Sequence, residues 1–101
     1  MSDAGTTIYC RVPLMLAHEQ LYSRLSVALV KLAFGKADPT VSEKKANRKK
    51  VRITLDTESL KHLNEVQTIH TLTQNDAVNA ALFEVYNNRS IYGVVLNEET
   101  V

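Results

Sequence analysis

Lys36, Lys44, Lys45, Arg48, Lys49, Lys50 and Arg52 place seven of the chain's twelve basic residues within 17 positions, with only Asp38 and Glu43 as acids among them. The net charge of the 101 residues is +1, so the total carries no signal for a polyanionic partner. The distribution is more informative, because the chain is locally polarised. The cluster runs into an alternating stretch in which Lys50, Arg52 and Thr54 share one face. Side chains of these types suit hydrogen bonding to a polar or anionic surface.

Residues that could support catalysis do not assemble into a pattern. His62 and His70 lie eight positions apart, more than two helical turns, and neither they nor His18 form a ligand spacing. Cys10 is the single cysteine, so no internal disulfide is possible, which fits a reducing cytoplasm. It reads as an inert small hydrophobe, with a bridge to a second copy left open. Gly5, Gly35 and Gly93 are scattered and cradle no phosphate. No nucleophile elbow or paired carboxylates stand out. The expectation is no enzyme, no metal and no cofactor.

The elements that must position the basic face follow from periodicity. The length suits one domain, and the 45% apolar content supports a small core. Met1 to Thr7 is small and polar, is expected to be disordered, and lacks a signal-peptide pattern. Ile8 to Val12 alternates weakly and is compatible with a short strand. Leu14, Tyr22, Leu21, Leu25, Ala28, Leu29 and Leu32 predict one continuous helix over Leu14–Phe34, stopped by Gly35. Its charged residues argue against a membrane span. Lys36 to Lys49 reads as a basic linker. Val51, Ile53 and Leu55 form the inner face of a strand. Asp56 or Thr57 caps a helix with Leu60, Leu63, Val66 and Ile69 inward. A turn is expected near His70-Thr71. Thr73-Gln74-Asn75-Asp76 resembles a capping box, opening a second helix lined by Val78, Ala81, Leu82, Val85 and Tyr86. Ile91 to Leu96 is β-prone and reads as a tail strand or disorder. Thr7, Tyr9 and Arg11, alternating with Ile8, Cys10 and Val12 ahead of a helix, echo the later strand. Because the next helix reads as continuous, the echo is taken as chance.

The strand at Val51–Leu55 has no partner within its own strand-helix-helix segment. Its open edge is expected to pair with the same strand of a second copy. The resulting two-stranded ribbon fits the major groove of DNA.

The segment 48–88 resembles the ribbon-helix-helix family of bacterial, phage and plasmid DNA-binding proteins. The carriers are the alternating VRITLD, the LxxLxxV helix and the run LTQNDAVNAALFEVY. They cover well under half the chain. The resemblance implies a mainly α fold: an intertwined homodimer around a two-stranded antiparallel β-ribbon, with an N-terminal helical extension. The organisation would be 1–35 extension, 36–47 basic linker, 48–88 DNA-binding domain and 89–101 tail. Val51, Ile53, Leu55, Leu60, Leu63, Val78 and Leu82 would form the dimer core. Lys50, Arg52 and Thr54 would contact base edges, Arg and Lys through guanine O6 and N7, Thr through a hydrogen bond or a thymine methyl. Thr73, Gln74 and Asn75 at the second helix's start, with Lys44, Lys45, Arg48 and Lys49 of the basic arm, would contact phosphates.

Two departures stand out. Asp76 would repel a phosphate unless it folds back on the cap. His70-Thr71 stands where the family often has Gly, so either a non-Gly residue takes a positive φ, at about 1 kcal/mol, or the turn differs. The function implied is a dimeric, sequence-specific DNA-binding protein acting as a transcriptional repressor in the cytoplasm, with higher oligomers on adjacent sites left open. The alternatives are a plasmid partition or relaxosome accessory protein, or an antitoxin or adaptor that binds a protein through residues 14–34.

Overall fold

The structure, a computed structural model, describes residues 5–35 and 48–94. Strand β1 (Thr6–Pro13) leads through a 3-10 turn (Leu14–Leu16) into helices α1 (Glu19–Tyr22) and α2 (Leu25–Ala33). Strand β2 (Arg48–Leu55) is followed by helices α3 (Thr57–His70), α4 (Gln74–Asn87) and α5 (Arg89–Tyr92). Lys36, Lys44 and Lys45 of the linker lie outside the described residues.

The open edge of β2 is closed from within the chain. β1 pairs with β2 antiparallel, Ile8 opposite Ile53, Cys10 opposite Val51 and Thr6 opposite Leu55. The expectation of a second copy's strand as partner is therefore corrected, and so is that of an N-terminal extension. Residues 6–13 form half of the ribbon and share its core. The alternation at Thr7–Val12 is a strand rather than chance. The physical reason is chain connectivity. A covalently linked partner strand needs only loop closure, whose entropy cost grows slowly with loop length.

The inner faces of both strands are sealed. Ile8, Cys10, Val12, Val51, Ile53 and Leu55 are buried. Their apolar surface meets α4, which is buried on almost every side: Ala77, Val78, Ala80, Ala81, Leu82, Phe83 and Val85 all lie inside. Seven apolar side chains and Asn79 buried along one helix put α4 at the centre of the fold, and its alanines let neighbours approach closely. Leu63, Val78 and Leu82, expected in a core between two copies, are fully buried within one chain, and Leu60 is partly buried against the same core.

The stretch Leu14–Phe34 is not one helix. Ala17 and His18 leave helical geometry, and Ser23-Arg24 separate α1 from α2. Core geometry explains the break. Leu16 and Leu21 are both fully buried, yet five residues at about 100° each would place them well apart around a straight helix. Breaking the helix turns Leu16 inward and leaves Leu14 exposed. The Ser23 hydroxyl donates to the Gln20 carbonyl at 2.8 Å, a local bond that competes with helix continuation.

Thr71 ends α3 in the left-handed region, φ 57 and ψ 57. Its N–H and that of Leu72 both close on the Gln67 carbonyl. The strained option anticipated for this turn is the one adopted. His70 adds a second tie, its Nε2 lying 3.0 Å from the Leu32 carbonyl at the end of α2. A β-branched residue with positive φ costs roughly 1–2 kcal/mol, part of which glycine returns as unfolded-state entropy. Thr71→Gly should therefore stabilise the chain by about 1 kcal/mol and raise the melting midpoint by roughly 4–8 °C. Thermal denaturation of the two forms checks this.

Residues Arg89–Tyr92 form a helical turn, so the described part of the β-prone run at Ile91–Leu96 opens in a helix rather than a strand, and its last two residues lie outside the described residues. Arg89–Tyr92 is capped by Gly93 at φ 69, and Tyr92 is buried with the Lys31 ammonium of α2 lying 4.5 Å from its ring centroid. The Tyr92 hydroxyl donates to Glu84 Oε2 at 3.0 Å.

Candidate nucleic-acid interface

The outer face of the ribbon is built by register. Side chains alternate across a strand, so burying Ile8, Cys10 and Val12 forces Thr7, Tyr9 and Arg11 outward. Likewise, burying Val51, Ile53 and Leu55 exposes Lys50, Arg52 and Thr54. Across the strands Arg11 faces Lys50, Tyr9 faces Arg52 and Thr7 faces Thr54. Thr7 Oγ1 and Thr54 Oγ1 share a hydrogen bond at 3.1 Å. The Lys50 ammonium lies 5.5 Å from the centroid of the Tyr9 ring, which is 60% exposed. Neither strand contains an acidic residue.

Three of the residues on this face, Thr7, Tyr9 and Arg11, are absent from the sequence-based site. The signal for them was the weak alternation ahead of Pro13. The other predicted positions divide. Lys50, Arg52 and Thr54 lie together on the exposed face. Lys49 is exposed at the ribbon's end and Arg48 is half-buried opposite Pro13.

At the start of α4, Thr73 and Gln74 are exposed, and Thr73 Oγ1 accepts the Asp76 N–H at 3.1 Å. Asn75 is engaged elsewhere. Its Oδ1 accepts the backbone N–H of Arg11 at 2.7 Å, and its Nδ2 donates to the Arg11 carbonyl at 3.2 Å. Asn79, 1% exposed, donates to the same carbonyl at 3.0 Å and to the Asn75 carbonyl at 2.8 Å. These two asparagines occupy the free edge of β1 as a neighbouring strand would and hold Arg11 in place. Asn75→Ala should cost about 1–2 kcal/mol and speed hydrogen exchange at the Arg11 amide. Unchanged exchange there would contradict the contact.

Burial pushes the Cys10 thiol up from 9.0 to about 11. The folded state thus holds its proton more tightly than the unfolded state does. The stability this provides is complete below pH 9 and is lost as pH rises toward 11. Urea denaturation from pH 8 to 11 should show this decline, with a shallower fall in Cys10→Ala. His62 is bracketed by Glu65 Oε1 at 2.9 Å and Glu58 Oε2 at 3.9 Å. Among the described residues no three His, Cys, Asp or Glu side chains gather as a metal site, and no helix is long and apolar enough to cross a membrane.

A second surface feature lies away from the strands. A groove of about 530 Å³ runs beside Phe34, Lys61, Glu65 and Ile69 between α2 and α3. Phe34 is 64% exposed there, and Ile69, expected on the inner face of α3, is instead 56% exposed.

No protein-family model, no curated protein and no solved structure matches this chain.

Proposed function

We propose that the chain binds double-stranded DNA, laying the outer face of its β1–β2 ribbon in the major groove as a ribbon-helix-helix-like module built within one chain. The observation that carries this reading is a two-stranded ribbon whose inner face is sealed while Arg11, Lys50, Arg52, Thr7 and Thr54 stand in solvent. A ribbon of two strands is the width the major groove admits, and Arg, Lys and Thr are side chains that read base edges there. Lys49 and the start of α4 at Thr73 and Gln74 are the candidates for backbone phosphates. The ribbon needs no second copy to be complete. The most general role for such a module is transcriptional repression, by occupying an operator. Partition and relaxosome roles would use the same contact.

The exposed Phe34–Ile69 groove favours a second reading, in which an adaptor docks a partner protein between α2 and α3. Fluorescence titration with duplexes enriched from a random library, at two salt concentrations, separates the two. Selective binding that weakens with salt supports DNA recognition. Weak binding that ignores sequence even at low salt refutes it and favours the adaptor.

A further inference from the structure

We infer that the ribbon takes a DNA site without two-fold symmetry, in one orientation and with one chain per site. The inference rests on the DNA-binding reading and adds to it the kind of site.

The argument begins with symmetry. A ribbon made from two copies of one strand presents the same side chains at both ends, because a two-fold axis exchanges them. This ribbon is made from two different strands, TTIYCRVP and RKKVRITL. Their register sorts the outer face by charge. At one end Lys50 faces Arg11, next to Arg48 opposite Pro13. At the centre Arg52 faces Tyr9, and at the far end Thr54 faces Thr7. One end is therefore cationic and the other carries two neutral hydroxyls that share a bond at 3.1 Å.

The chemistry of the two ends differs accordingly. Arg11 and Lys50 offer donors suited to guanine O6 and N7. The threonine pair shares one hydroxyl proton internally and keeps the other, along with two methyl groups that can meet a thymine methyl. Turning the duplex end for end would set the cations over the thymine-suited pairs and the hydroxyls over the guanines. Both sets of contacts would be lost together. Asn75 and Asn79 reinforce the asymmetry by fixing the Arg11 backbone on the β1 edge.

Selection of the full chain against a random duplex library tests the inference. The expected consensus has no inverted repeat, carries G·C pairs toward one end, and binds one chain per site by native mass spectrometry. Two symmetric duplexes, each duplicating one half of the selected site, should bind at least about tenfold more weakly than the selected one, the loss of a single good base contact. Arg11→Ala should relax selectivity at the guanine end only, and Thr7→Ala at the other end only. Both positions are exposed, and circular dichroism verifies the fold of each variant. A palindromic consensus, two chains per site, or a symmetric duplex bound as tightly as the selected one would overturn the inference while leaving DNA binding intact. A library that yields no enriched sequence would overturn the DNA reading, and this inference with it.

Discussion

Ile53→Lys is expected to leave the chain unfolded in water at 25 °C. Ile53 is 4% exposed and sits opposite Ile8 at the centre of the ribbon's inner face. Removing its side chain from the core forfeits roughly 1.5–3 kcal/mol of burial. An unpaired ammonium in its place adds several kcal/mol more. A domain of this size is stable by only about 5–15 kcal/mol, so the two losses consume most or all of it. Far-ultraviolet circular dichroism that retains the native helix signal would refute the placement of β2. The wild-type protein supplies a companion test. Because β1 and β2 belong to one chain, its urea midpoint should not depend on protein concentration. A ribbon shared between two copies would give a midpoint that rises with concentration.

On the proposed DNA-binding reading, Arg52→Ala should leave the fold unchanged and weaken sequence discrimination by roughly 5- to 150-fold, the loss expected when one bidentate base contact worth about 1–3 kcal/mol is removed. Arg52 projects from the centre of the ribbon opposite Tyr9, and its neighbours on β2, Val51 and Ile53, are buried, so the guanidinium reaches solvent from a rigid base. The sign of the effect separates two roles. A side chain that only neutralises phosphate lowers affinity for every sequence alike and reduces the salt slope by about 1. A base-reading side chain lowers affinity for the preferred duplex far more than for a scrambled one. Competition titration with both duplexes decides. Equal losses would move Arg52 from the reading face to the backbone contacts.

Some of the architecture was legible because it is local. Val51, Ile53 and Leu55 alternate, and each is buried. Asp56 accepts the Ser59 N–H at 2.8 Å, and Thr73 accepts the Asp76 N–H, as their positions ahead of apolar runs indicate. The turn at Thr71 was legible as a choice between strain and a different geometry, and strain is what the chain adopts. What was not legible depends on distant residues. Asn75 looks like a capping or phosphate-facing residue in isolation, because nothing nearby in sequence announces the backbone of Arg11, 64 positions away.

The ribbon's partner shows the same division. Period-two alternation fixes which side chains of a strand face in and which face out, and it does so from residues a few positions apart. It therefore determined that Lys50, Arg52 and Thr54 share an exposed face. It could not say which strand lies alongside, because any alternating strand satisfies the same edge. Only the folded chain made that choice, by bringing Thr6–Pro13 against Arg48–Leu55 and breaking the Leu14–Phe34 helix so that Leu16 could enter the core. The asymmetry of the outer face is a consequence of that pairing, and so belongs to the tertiary structure alone.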